Sequence, residues 1–179
     1  MLKRIVAIVL VILSFSLQSC VSAGAGLKSY IDAYNGYEFA YPNGWVEIKV
    51  PGGPDVVLHD FVDPSENVSV IIGDVPDGKT LAELGTPSEV GQKLAQRAIS
   101  SDDGTRKAEL ISATSQEHGE NTYYLLEYMV QLPEQTRHNL ASVVVRRGQL
   151  FTLNISTTEQ RWQRLSDQFK QVANSFSVY

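Results

Sequence analysis

Cysteine is almost missing from this chain: its 179 residues hold one, Cys20. A single thiol excludes an intrachain disulfide and a zinc site built from cysteines. Clustered positive charge is missing too. No run of Lys and Arg exceeds two residues and the formal net charge is −5, so the basic footprint of a nucleic-acid binder is absent. The apolar run Ile5 to Phe15 falls short of the ~20 residues that a membrane-spanning helix requires. Enzyme signatures are also lacking, with no Gly-x-Ser-x-Gly elbow, phosphate loop or dinucleotide fingerprint. The chain therefore reads as a binding protein and not an enzyme. With no internal repeats and 43% hydrophobic content, it suits one domain around a single core.

The first residues have a different logic. Met1-Leu2-Lys3-Arg4 is basic, Ile5 to Phe15 is apolar, and Leu17-Gln18-Ser19-Cys20 ends in a small residue before the thiol. That order is the pattern of a secretory signal. Leu17-x-Ser19-Cys20 resembles a bacterial lipoprotein box, which makes residues 1–19 the signal peptide and Cys20 the lipidated first residue. Plain secretion with a free Cys20, or a cut at Ala23 or Ala25, is the alternative. Without Lys3 and Arg4 the chain has 13 basic and 20 acidic residues, a net charge of −7. Attachment to a membrane would then come from acyl chains and not from attraction to anionic lipid. Residues 20–29, small and flexible after Cys20, read as a lipidated tether, with the folded domain over 30–179.

The domain is organised around three consecutive strands. Tyr123 to Val130, Asn139 to Val145 and Leu150 to Ile155 are rich in Val, Leu, Tyr, Phe and Thr, which suit a pleated, half-buried surface. Pro133 and the Arg146-Arg147-Gly148 turn separate them. Upstream, Tyr37, Phe39 and Tyr41 alternate with Glu38 and Ala40 after the Asn35-Gly36 turn, so one strand face is aromatic. Trp45 to Ile48, Val56 to Phe61, Asn67 to Ile72 and Ala108 to Gln116 complete the strands.

Two helices have clear starts. Thr86-Pro87-Ser88-Glu89 is a capping box with Pro at the first helical position, and Val90, Leu94, Ala98 and Ile99 follow on one face. Ser156-Thr157-Thr158-Glu159 offers a second box, with Thr158 as the alternative cap. Trp162, Leu165, Phe169, Val172 and Phe176 then form one apolar stripe, leaving Arg161, Arg164, Asp167 and Lys170 toward water. The fold class is α+β, a central antiparallel β-sheet flanked by helices.

Metal chemistry has three candidate residues. His59 and Asp60, near Asp63 and Glu66, carry ligand types suited to a divalent ion. As neighbours on a strand, however, they point to opposite faces, and a solvated edge or a structural hydrogen bond explains them as well. His138 could join a carboxylate from another loop, or cap a strand. Aromatic side chains left outside the core would favour a protein interface.

Taken in order, several segments resemble the PsbP family, the extrinsic lumenal subunits of photosystem II, and within it the cyanobacterial lipoprotein branch. They are Gly36-Tyr37-Glu38-Phe39 with Tyr41-Pro42-x-Gly44-Trp45, Val56 to Asp60, Glu66 to Val70, Tyr123-Tyr124, and Arg137-His138-x-Leu140. Gly148-x-Leu150-Phe151-Thr152, Arg161-Trp162 and Ser175 to Val178 complete the set. The resemblance implies a PsbP-like α/β sandwich on the lumenal face of the thylakoid membrane, docking on photosystem II subunits or assembly intermediates. In this family plant subunits help retain calcium and chloride at the manganese cluster. The short segment before Tyr30 favours an assembly role over ion retention. Family metal positions carry over to His59, Asp60 and His138, with calcium, zinc or manganese as the possible divalent ion. A divalent-metal carrier or sensor lipoprotein is the alternative function.

Overall fold

The computed structural model describes residues 26–179. Cys20, the expected signal segment 1–19 and the first part of the expected tether lie outside these residues. Strands β1 (Leu27–Asp32), β2 (Tyr37–Pro42), β3 (Trp45–Ile48), β4 (Val56–Asp60) and β5 (Asn67–Asp74) come first. Helices α1 (Leu81–Leu84) and α2 (Pro87–Leu94) follow, then β6 (Lys107–His118), β7 (Asn121–Gln131), β8 (Thr136–Arg146) and β9 (Gln149–Thr158). Helix α3 (Glu159–Asn174) and the short β10 (Ser177–Val178) end the order.

Seven strands form one antiparallel sheet in the order β3-β4-β5-β9-β8-β7-β6. The three expected strands are its fourth to sixth members. Arg147 and Gly148, at φ 53° and 73°, turn β8 into β9; two left-handed residues match the twist of a tight hairpin. A second sheet, β1-β2-β10, packs with α3 against one face of the large sheet. Its aromatic residues Tyr37 and Phe39, with Phe176 just ahead of β10, join Trp45, Phe151, Trp162 and Phe169 in the main core. On the opposite face, α1 and α2 cover Tyr124, Leu126, Tyr128 and Val143.

Three expectations need adjustment. The tether was expected to run to residue 29, but β1 begins at Leu27, which pairs with Pro42 and packs on the core. Small neighbouring residues concealed that strand, because pairing with β2 supplies what composition does not. The helix after Thr86 holds α geometry only to Leu94 and continues as a π turn over Ala95–Ile99, with Ser100 N–H donating to Ala95 O at 2.8 Å. At the third helix Thr158 is the cap, because β9 extends through it, and its Oγ1 accepts from Arg161 N–H.

Candidate functional site

The candidate site surrounds the start of α3. In α1 and α2 the cap is self-contained: Glu83 and Glu89, at the third helical position, return a carboxylate to the N–H of Thr80 and Thr86. At α3 that position is Arg161, which cannot accept a hydrogen bond. Glu66, fully buried in the β4–β5 connection, supplies the acceptor: its Oε1 takes the Thr158 N–H at 3.0 Å. The second oxygen faces Arg161 Nε at 3.6 Å, an ion pair too long for a hydrogen bond. Arg161 Nη2 donates to Asp60 Oδ2 at 2.9 Å. Arg161 was expected to face water, but it is wedged between two carboxylates because the helix start is seated on the end of β4.

His138, 3% exposed, lies beside this network. Its Nδ1 is 2.9 Å from Glu159 and its Nε2 is 2.8 Å from Glu127. Its ring stacks on Trp162 with centroids 3.9 Å apart and planes 10° from parallel. A neutral imidazole carries one N–H and can serve one of these carboxylates, whereas an imidazolium serves both. The arrangement ties β7, β8 and the first turn of α3 together.

The three expected metal residues take separate positions. Asp60 points to the α3 side and is bonded to Arg161. His59, on the opposite side of β4, is half-buried, with Nδ1 lacking a hydrogen-bond partner among the described residues. His138 has both ring nitrogens on carboxylates. Among the described residues, no group of three or more His, Cys, Asp and Glu side chains is placed to hold a metal ion.

Behind His138, strand alternation sends Arg137 and Asn139 to the other face. Arg137 is 7% exposed; its Nε donates to Ser156 Oγ at 3.0 Å and its Nη2 to Ser65 O. Ser156 Oγ donates in turn to Asn139 Oδ1 at 2.9 Å. A cleft of about 260 Å³ opens here, lined by Arg106, Arg137, Asn67, Asn139, Asn154 and Ile99 among others. Burial, reinforced by the like charge of Arg106, pushes the Arg137 guanidinium below its usual range, while Glu66 and Asp63 pull the other way.

Arg161, Glu127 and Arg137 are not candidates in the sequence, and Glu66 enters there only as a carboxylate near the His59 and Asp60 pair. Two signals point to part of this set. Glu127 is a diagonal neighbour of His138 once Met129 is set opposite it. An Arg three residues after a Thr cap leaves the cap N–H in need of an acceptor from elsewhere. Of the aromatic residues, Tyr123, Tyr124 and Tyr128 are buried, whereas Tyr34 and Phe61 are left outside.

Comparison with known proteins places this geometry in a family. The profile described as PsbP matches residues 25–178. The chain is 47% identical to CyanoP of Thermosynechococcus vestitus over 184 aligned residues, covering 100% of both chains. It is 43% identical to CyanoP of Synechocystis sp., with 99% of this chain and 97% of that protein aligned. The solution structure of cyanobacterial PsbP (CyanoP) from Synechocystis sp. superposes with a TM-score of 0.76 at 44% identity. That match covers 92% of this chain and 99% of the other, and has the same α+β architecture. Ordered motifs, fold and end-to-end similarity agree, and the chain belongs to the PsbP family.

Proposed function

We propose that this protein is a photosystem II accessory factor on the lumenal face of the thylakoid membrane, tethered by a lipid on Cys20. It docks on photosystem II subunits or assembly intermediates and supports assembly or stability of the oxygen-evolving complex. The observation that carries the reading is similarity to a CyanoP protein along the full length of both chains. The geometry supports docking over turnover: the ionisable side chains around the start of α3 are tied into ion pairs that brace the fold. The test is affinity capture by the tagged chain from detergent-solubilised thylakoids, with mature and immature photosystem II resolved. Enrichment of immature complexes is the expected result. Enrichment of the mature oxygen-evolving complex alone would replace assembly with a resident role, and capture of neither would overturn the reading. Cys20→Ser should release the protein from membranes into the soluble lumenal fraction, read by immunoblotting after fractionation; unchanged retention would mean that protein contacts and not a lipid hold it.

A further inference from the structure

Arg137 is a buried cation short of an anion. None of the ion pairs among the described residues includes it. Glu66 and Asp63 attract it from farther off, but Glu66 is committed to Thr158 and Arg161 and Asp63 accepts from Ser65. The hydrogen bonds to Ser65 and Ser156 satisfy donors without bringing negative charge. A guanidinium does not escape by losing its proton, and a buried charge without a counter-charge is unfavourable. Arg106, exposed at the mouth of the same cleft, is likewise in none of these ion pairs. In a molecule of net charge −5, two guanidinium groups lining one concavity make a local reversal of sign, and a concave wall concentrates that field.

An apolar compartment continues the cleft. It measures about 210 Å³, shares Ile99, Arg106, Asn139 and Asn154 with the first, and adds Ile71, Leu94, Ala98 and Tyr128. Ala98 and Ile99 come from the π turn that ends the helix after Leu94.

We infer that this double cleft recognises a carboxylate with an apolar flank, presented by an extended acidic segment of a protein partner. Planar guanidinium forks and side-chain amides match a planar carboxylate, which takes two parallel hydrogen bonds. The neighbouring compartment accepts one aliphatic side chain. A concave site in an acidic molecule fits an inserted peptide group better than a flat anionic membrane. The inference deepens the docking reading above and rests on it for the existence of a protein partner.

The test uses the chain with its N-terminal segment intact, purified in detergent. Fluorescence anisotropy would follow a labelled, terminally blocked Leu-Asp-Leu-Asp peptide and its Leu-Asn-Leu-Asn counterpart. The acidic peptide should bind about tenfold or more tightly, the contribution of one charge-assisted hydrogen bond. Arg137→Gln should bring the two peptides within about twofold, and a thermal melt would report whether that variant folds. Arg106→Gln, an exposed change, should shrink the preference severalfold without disturbing the fold. Equal binding of both peptides by the unaltered chain would overturn the inference. So would displacement of the acidic peptide by inorganic phosphate at equal concentration, because the cleft would then accept any anion. If the acidic peptide is preferred but no photosystem subunit is captured, the cleft stands and the photosystem reading falls. If photosystem subunits are captured while the peptides bind alike, the photosystem reading stands and the cleft falls.

Discussion

The two faces of the large sheet are covered to different degrees. Toward α3 the cover is a sixteen-residue helix plus a whole second sheet, and the interior is dense with rings. Phe176 alone meets Tyr37, Phe39 and Tyr123 at centroid separations of 6.2 to 6.5 Å. On the other face the cover is a four-residue helix, an eight-residue helix and a π turn. It extends over β6 to β8 and leaves Val46, Ile48 and Ile71 exposed beyond it. One face is built for cohesion, and the other retains surface and clefts. Stability and recognition are thus divided between the two sides of one sheet.

The largest test of this division is truncation in each core. Phe176→Ala should cost about 3–5 kcal/mol in urea denaturation and Leu81→Ala nearer 2, since both leave cavities but the second lies under a short, yielding cover. Equal losses would erase the contrast. Next is the shared start of α3. Glu66→Ala should cost about 3 kcal/mol by the same measurement, because it removes one partner of a buried ion pair and the acceptor for Thr158 N–H; Glu66→Gln, which keeps an acceptor, should cost less. Smaller again are the caps. Thr86→Ala and Thr158→Ala should each cost about 1 kcal/mol. Thr158→Ala combined with Glu66→Ala should fall short of the sum, since both act on one helix end, whereas Thr86→Ala should add fully.

The smallest effect is local and set by pH. Hydrogen bonds from Ser101 and Thr105 hold the Asp103 carboxyl down to about 2, from an ordinary 3.8. A carboxyl depressed in the folded state contributes stability that is complete above its unfolded value and is lost as pH falls through the folded one. The turn over residues 101–105, on the loosely covered side, should therefore loosen between about pH 4 and pH 2. The Thr105 amide resonance would report it, and a midpoint near 4 would contradict the assignment.

Strand positions were legible because β-branched and aromatic runs end at Pro and Gly, and the aromatic alternation at Tyr37, Phe39 and Tyr41 declared its own face. The small sheet was not legible. Its third strand has two residues, Ser177 and Val178, and exists only because Glu38 and Tyr37 lie beside them. Helix α1 was missed although Thr80-Leu81-Ala82-Glu83 is a full capping box, since four residues carry no periodicity. At the site, adjacency on a strand already separated His59 from Asp60. The His138 clamp depends on a hairpin register fixed by Gln131 opposite Thr136, and Arg137 gains its character from a distant loop carbonyl at Ser65.

The same two-residue strand has a consequence in time. Val178 pairs with Tyr37, and Tyr123 Oη accepts from Val178 N–H at 3.0 Å, so β10 is stitched to β2 and β7 at once. Arg147 holds the final turn by donating to the carbonyls of Tyr179 and Asn35. A contact between residues so far apart in sequence bears a large loop-closure entropy and forms late. The hairpins from β6 to β9 can assemble early, but the aromatic core stays open until residues 176–178 arrive. Until residues 176–178 dock on Tyr37 and Tyr123, the molecule remains a set of hairpins, and that one late contact closes it.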